Sequence, residues 1–283
     1  MNLQNIISEI EKTDPEVYDK LDTRRKVMKD FAKVSGKIAL ASIPFALGSM
    51  FQKAYGSPTS PSDIVIDTLN FALTLEYLES NFYIKAVASG IVPSGDALNA
   101  FTVIRDHENE HVNFLKTAIT AAGATPVSFT AASFDYTAKG TFPGVFTDYG
   151  TLLAVAQTFE DTGVRAYKGQ APNLMSQSAY LTAALQIHSV EARHAAHIRE
   201  MRKAANLLVP AGVNVKPWIT LNQSGIGSAA VQASYNGEEN VVQAGVTITN
   251  IGGFPISAAA ASEAFDEPLT KDQVTAIVTP FFA

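Results

Sequence analysis

The chain contains no cysteine among its 283 residues, and only 17% of its residues are charged. The lack of cysteine excludes disulfides, thiolate metal sites and thiol nucleophiles, and it leaves the redox compartment open. The formal net charge is −6 and no basic tract stands out in the body of the chain, so nucleic acid is not an expected partner. Apolar residues make up 47%, which suffices for a buried core.

The N-terminal part contains an apolar run, residues 38–51, that is shorter than the roughly 20 residues needed to cross a bilayer. No stable membrane span is therefore expected. The run follows Arg24-Arg25 and precedes Ala54-Tyr55-Gly56, a candidate cleavage site, which is the order of a twin-arginine export signal. A lysine and a proline in or beside the run, and a long charged lead, argue against export. Residues 1–56 are predicted to be an export segment of a periplasmic protein, with a cytoplasmic protein as the alternative.

The chain has only five histidines, and all of them fall in two short stretches that each contain Glu-x-x-His. The first motif is Glu108 with His111, and the second is Glu191 with His194. Residues three apart lie on the same side of a helix, so one helix can offer both side chains to one metal ion. Two such helices would supply much of a dinuclear carboxylate site.

Apolar periodicity predicts four long helices. The second and third are separated by a long segment, residues 124–147, whereas the other connections are short. Short–long–short connectivity is typical of a four-helix bundle with one crossover. We therefore predict an all-α core at residues 57–208, whose helices span residues 63–90, 96–123, 148–168 and 176–208.

The remainder, residues 209–283, has a different composition and is predicted to be an irregular extension with short strands. Its strand-like runs are 213–221 and 241–250. We expect it to pack on the bundle or on a neighbouring subunit, and we interpret Glu238 and Glu239 as solvated turn residues. No catalytic chemistry is expected from it.

The two halves of the bundle repeat each other, which predicts a pseudo-twofold site. Glu76 precedes Glu108 by 32 positions, and Glu160 precedes Glu191 by 31. Helical phase places all four glutamates among apolar residues, where a bare carboxylate costs several kcal/mol or takes up a proton. Two divalent metal ions would neutralise these carboxylates. The alternative interpretation is that they are unrelated polar residues on ordinary helices, which would require no metal. The predicted ligands are Glu76, Glu108, His111, Glu160, Glu191 and His194.

Several neighbours could support these ligands. Glu79 lies on the face of Glu76, and is either an extra or shuttling ligand or a hydrogen-bond acceptor behind the site. His188 is interpreted as a hydrogen-bond donor behind the site, with an additional ligand as the alternative. Tyr83 and Tyr167 each follow a glutamate by seven residues, and either donate to ligand carboxylates or bond some other buried acceptor. His107, Glu110 and His197 are expected on the flanks or in solvent.

The chain resembles the ferritin-like superfamily, and more narrowly the bacterial ferritin-like proteins related to plant desiccation-related proteins. The residues that carry the resemblance are 75–83, 107–111, Glu160, 191–194 and the tail 264–270. The resemblance implies a ferritin-like four-helix bundle from about residue 60 onward. It also implies that Glu108 and Glu191 bridge two metals, that Glu76 and Glu160 are terminal ligands, and that His111 and His194 each bind one metal.

Carboxylate and imidazole ligands suit iron or manganese, and zinc could also occupy such a site. Two adjacent ions can bind dioxygen or peroxide between them, by analogy with other two-metal sites. We therefore predict a dinuclear oxidoreductase, ferroxidase-like or catalase-like, in oxidative or desiccation stress. The alternative is a non-catalytic metal-binding or structural stress protein. Iron storage in a cage is disfavoured by the extra terminal segments, while a homo-oligomer is compatible with the sequence.

Overall fold

A computed structural model of the protein describes residues 63–208 and 215–283. The predicted export signal and the predicted segment 1–56 lie outside the described residues. No helix in the described ranges combines the length and apolarity that a membrane span requires.

Four long helices form the core, as the sequence predicts. Helix α1 packs along α2, helix α3 packs along α4, and further contacts join α1 to α3 and α2 to α4. The all-α fold class is thereby confirmed. The helices are α1 (Asp63–Ala88), α2 (Asp96–Ala121), α3 (Tyr149–Gln170) and α4 (Ser178–Ala204).

The helix ends follow local chemistry. The Asp148 side chain accepts the backbone N–H of Thr151, which caps the start of α3. Helix α4 ends at Ala204, four residues before the predicted end at Leu208, because Asn206 takes a left-handed conformation with φ 55°. Left-handed residues of this kind commonly terminate helices.

The long crossover between α2 and α3 is packed against the bundle through aromatic rings. Phe82 of α1 lies 5.5 Å from Tyr136 and 5.7 Å from Phe146, measured between ring centroids. The Tyr136 hydroxyl donates to the backbone oxygen of Leu78 at 2.7 Å. Phe134 forms an isolated β-bridge with Phe282, so the crossover also contacts the C-terminus.

The C-terminal region contains more helix than the sequence predicts. The run 241–250 does contain a hairpin, in which β1 (Val242–Gln243) pairs antiparallel with β2 (Val246–Thr247). The described part of the run 213–221 forms no strand, since Pro217 lacks a backbone N–H and Leu221 has φ 52°. Two further helices, α5 (Ala258–Ser262) and α6 (Lys271–Val278), were not predicted.

This region covers the outer side of α3, which is consequently buried on every side from Gln157 to Tyr167. The backbone of Leu269 approaches the helix closely, and its N–H donates to the Arg165 carbonyl at 3.1 Å. Gly169 makes the approach feasible, because a Cβ at that position would lie 1.9 Å from the Leu269 carbonyl oxygen. The C-terminal region therefore holds α3 from outside while the other bundle helices hold it from inside.

Candidate metal centre

All four bundle helices contribute acidic or imidazole side chains to the centre of the core. The four glutamates are fully buried, and His111 and His194 are 8% and 4% exposed. The contributions are Glu76 from α1, Glu108 and His111 from α2, Glu160 from α3, and Glu191 and His194 from α4.

These six residues form two overlapping groups, each of which could hold a metal ion. Each group offers one ligand atom per residue, and these atoms lie within 4.8 Å of one another. Glu108 and Glu191 belong to both groups. Glu76 and His111 complete the first, and Glu160 and His194 complete the second. The structure therefore brings together the six residues that helical phase places on the inner faces.

The surroundings of His111 resemble a coordination sphere more than a hydrogen bond. Its Nδ1 lies 3.1 Å from an oxygen of Glu76, 3.3 Å from one of Glu108 and 3.1 Å from one of Glu191. A ring N–H can donate well to only one of three acceptors. Ligands held about 2.0–2.2 Å from one ion lie roughly 3 Å or more from each other, which matches this spacing.

Glu108 reaches both groups with separate oxygens. Its Oε2 lies near Nδ1 of His111, and its Oε1 lies 2.9 Å from Nδ1 of His194. Oε1 makes no hydrogen bond with acceptable geometry, and neither oxygen of the buried Glu191 does. Buried polar atoms are normally satisfied, so these orphaned oxygens fit a site whose missing partners are cations.

Two tyrosines orient the outer glutamates across the bundle. Tyr83 of α1 donates to Oε1 of Glu160 on α3 at 2.5 Å, and Tyr167 of α3 donates to Oε1 of Glu76 on α1. The other oxygen of each glutamate faces a histidine. Of the two alternatives for these tyrosines, the structure favours donation to the carboxylates of the site.

Burial makes the metal-free cluster retain protons. It raises the pKa of Glu76 to about 7 and lifts the pKa of Glu191 well above its usual range. Burial also opposes ionisation of Glu108, but the nearby imidazoles of His111 and His194 favour its charged form, outweigh burial and lower that pKa. Burial disfavours the charged form of His194, yet the carboxylates, Glu160 first, raise its pKa to about 11. Binding of divalent cations would displace these protons.

Glu79 is a fifth buried carboxylate beside the cluster, although it belongs to neither group. Burial and then the charge of Glu191 raise its pKa well above the usual range. The backbone of Gly163 faces both side chains, since a Cβ there would lie 3.2 Å from Oε2 of Glu191 and 3.3 Å from Oε1 of Glu79. Gly163 thus leaves the space in which the two carboxylates meet.

The histidine that contacts a candidate ligand from outside the site is His107, not the predicted His188. His188 makes its contact with the backbone, where its Nδ1 lies 2.9 Å from the Val164 carbonyl oxygen. His107 is exposed, and its Nδ1 lies 2.9 Å from Nε2 of His194. Phase within one helix places His107 on a flank, but the position of α4 beside α2 brings that flank to His194. His197 and Glu110 are exposed, as expected.

A second buried polar cluster lies on the outer side of α3, and here the interpretation of Glu238 as a solvated turn residue was wrong. Glu238 is 1% exposed, and its Oε1 lies 2.7 Å from Nε of Arg165. The Arg165 guanidinium also donates to the backbone oxygens of Ser234, Asn236 and Glu267. Asp161, one turn earlier, pairs with Arg199. The four-residue spacing of Asp161 and Arg165, which places both on one side of α3, was the available signal.

Comparison with known families agrees with the fold. The model of the family described as the ferritin-like domain matches residues 64–204. This range includes all four bundle helices and all six residues of the two groups. No curated protein matches the chain. Residues 64–204 are therefore a domain of the ferritin-like superfamily.

Proposed function

We propose that the protein binds two iron or manganese ions and acts on dioxygen or peroxide. The observation that carries the proposal is the pair of overlapping Glu/His groups that share Glu108 and Glu191. In this proposal Glu76 and His111 would hold one ion, Glu160 and His194 would hold the other, and Glu108 and Glu191 would contribute to both. Four ionised carboxylates balance the charge of two divalent ions, so the loaded site would be neutral in the buried core.

The chemistry of the donors supports iron or manganese. Oxygen and imidazole ligands suit these metals, whereas thiolates, which the chain lacks, are typical of other sites; zinc would also bind such donors. When bound, a pair of such ions would supply electrons to dioxygen or peroxide, or would accept electrons from peroxide. Tyr83 and Tyr167 hold two of the carboxylates in place, and full burial of the four glutamates separates them from bulk water.

A second candidate is a structural metal site, with no turnover. It is favoured by the origin of the ligands, since each bundle helix supplies at least one of them. Ions bound this way would crosslink the bundle and stabilise it by mass action, by about 2.7 kcal/mol at a free metal concentration of 100 Kd.

Metal analysis followed by activity assays tests both candidates. We expect two Fe or Mn ions per chain in protein purified without added metal, with turnover of peroxide or of Fe(II) and O2. The variant Glu108→Gln should lose metal, whereas Glu110→Gln, an exposed position on the same helix, should keep it. Bound metal without turnover, together with a melting temperature that depends strongly on metal, would favour the structural site. Absence of bound metal under every loading condition would refute both.

The cellular role extends the same proposal to oxidative or desiccation stress outside the cytoplasm. Its support is the twin-arginine-like order of residues 24–56. A chain that begins near Ser57 should then be found in the exported fraction. Mature protein with an intact Met1 would contradict cleavage.

A further inference from the structure

The exposed His107 contacts one, and only one, of the two histidines in the Glu/His groups. Its Nδ1 lies 2.9 Å from Nε2 of His194, and the two rings are nearly parallel, with centroids 5.2 Å apart at 19°. His107 is on α2, immediately before Glu108, and His194 is on α4. The contact therefore joins a surface residue on one helix to a buried residue on another.

The tautomer of His194 decides which of the two histidines donates the hydrogen bond. Nδ1 of His194 faces the carboxylates, at 2.9 Å from Glu108 and 3.2 Å from Glu160, so Nδ1 is the atom that would bind an ion. A neutral imidazole that binds through Nδ1 carries its hydrogen on Nε2. That N–H needs an acceptor, and Nδ1 of His107 is within hydrogen-bond distance.

We propose that His107 is a positioning residue for one half of the metal centre: it accepts a hydrogen bond from Nε2 of His194 and keeps Nδ1 directed at the carboxylates. The inference rests on the proposed function, because it takes His194 to be a ligand. Hydrogen-bond partners behind ligand histidines fix the ring orientation, and their loss typically weakens metal binding about 10–100-fold.

The internal repeat predicts that this effect is confined to one ion. His107 precedes Glu108 by one residue, and the corresponding residue before Glu191 is Val190. Valine has no hydrogen-bonding side chain, so α4 cannot offer His111 the support that α2 offers His194. The two ions should therefore be inequivalent, and His107 should affect the one bound by His194.

Titration of the metal-free full chain with Co(II), followed by its visible absorption, tests the inference. Wild type should bind two equivalents. His107→Leu should weaken one of them about 10–100-fold and leave the other unchanged. His107→Gln should largely restore it, because the amide oxygen can accept the same hydrogen bond. The matched control is His197→Leu, an exposed histidine on α4, and it should bind as wild type does.

The possible results separate this inference from the proposed function. Wild type that binds no Co(II) overturns both. Wild type that binds two ions while His107→Leu weakens neither, or weakens both equally, overturns only the role of His107. Failure of His107→Gln to restore binding overturns it as well, since a histidine that is itself a ligand would behave that way. Melting temperatures of the metal-free variants should match that of wild type, because a surface side chain is being changed.

Discussion

The contact between Gly169 and Leu269 predicts a large effect from a single methyl group. A Cβ on Gly169 would lie 1.9 Å from the Leu269 carbonyl oxygen and 2.9 Å from its carbon. Both are backbone atoms, so no side-chain rotation can relieve the overlap. Gly169→Ala should therefore push the segment around Leu269 away from α3.

The expected cost follows from what that segment would lose. The Leu269 N–H would give up its bond to the Arg165 carbonyl, worth about 1 kcal/mol. Leu269, which is 2% exposed, would lose part of the roughly 1.5–3 kcal/mol that its burial contributes. Alanine returns about 1 kcal/mol through its higher helix propensity. The net destabilisation should be about 1–2 kcal/mol, which lowers the melting temperature by roughly 2–8 °C for a domain of this size.

Urea and thermal unfolding of wild type, Gly169→Ala and Gly150→Ala provide the assay. Gly150 lies in the same helix, but the nearest atoms to its Cβ would belong to side chains, those of Leu207 at 3.3 Å and Asp148 at 3.4 Å. Gly150→Ala should thus be neutral or stabilising by up to about 1 kcal/mol. A Gly169→Ala protein as stable as wild type would refute the reasoning, as would equal losses at both positions.

Three further perturbations test other contacts. Gly163→Ala would crowd the carboxylate of Glu191, and the nearest atoms that its Cβ meets belong to side chains rather than backbone. Metal affinity should therefore fall about tenfold, or roughly 1.4 kcal/mol, while the stability of the metal-free protein should stay unchanged. Unchanged metal affinity would contradict this. Tyr167→Phe removes the donor to a buried carboxylate and should destabilise the protein by about 1–3 kcal/mol in chemical unfolding; a neutral substitution would show that the bond is dispensable. Burial raises the pKa of Glu238 to about 7 despite Arg165, so the native state holds this proton more tightly than the unfolded state does. The free energy of unfolding should then fall between about pH 4.5 and 7, by roughly 3 kcal/mol from this group, and Glu238→Gln should remove that part of the slope; parallel pH profiles would exclude it.

The bundle was predictable because its signals are local. Apolar residues recur with the helical period, and capping residues such as Asp148 mark the helix starts. The candidate metal ligands were accessible for the same reason, since a glutamate in an apolar stripe is conspicuous within its own helix. Agreement between the two halves added a second, independent constraint.

Two polar contacts that sequence reasoning missed depend on the packing of distant segments. His107 was placed on a flank because helical phase gives only the direction of each side chain around the axis of its own helix. It contains no information on the position of the neighbouring helix. Glu238 was taken as solvated because nothing in its own segment indicates that Arg165, 73 positions earlier, lies 2.7 Å away. Tertiary contacts decided both cases.

The pseudo-twofold repeat is broken beside the candidate ligands rather than at them. Glu79 corresponds to Gly163, and His107 corresponds to Val190, whereas the six ligand positions and both tyrosines are matched between the halves. Each break has a structural counterpart, since Glu79 occupies the space that Gly163 leaves, and His107 contacts His194 from the surface. Matched ligands would give two ions similar affinity, so any difference in their binding or reactivity must arise from these outer residues. Replacing Glu79 by glycine, or His107 by valine, would therefore make the two half-sites more alike without altering any of the six candidate ligands.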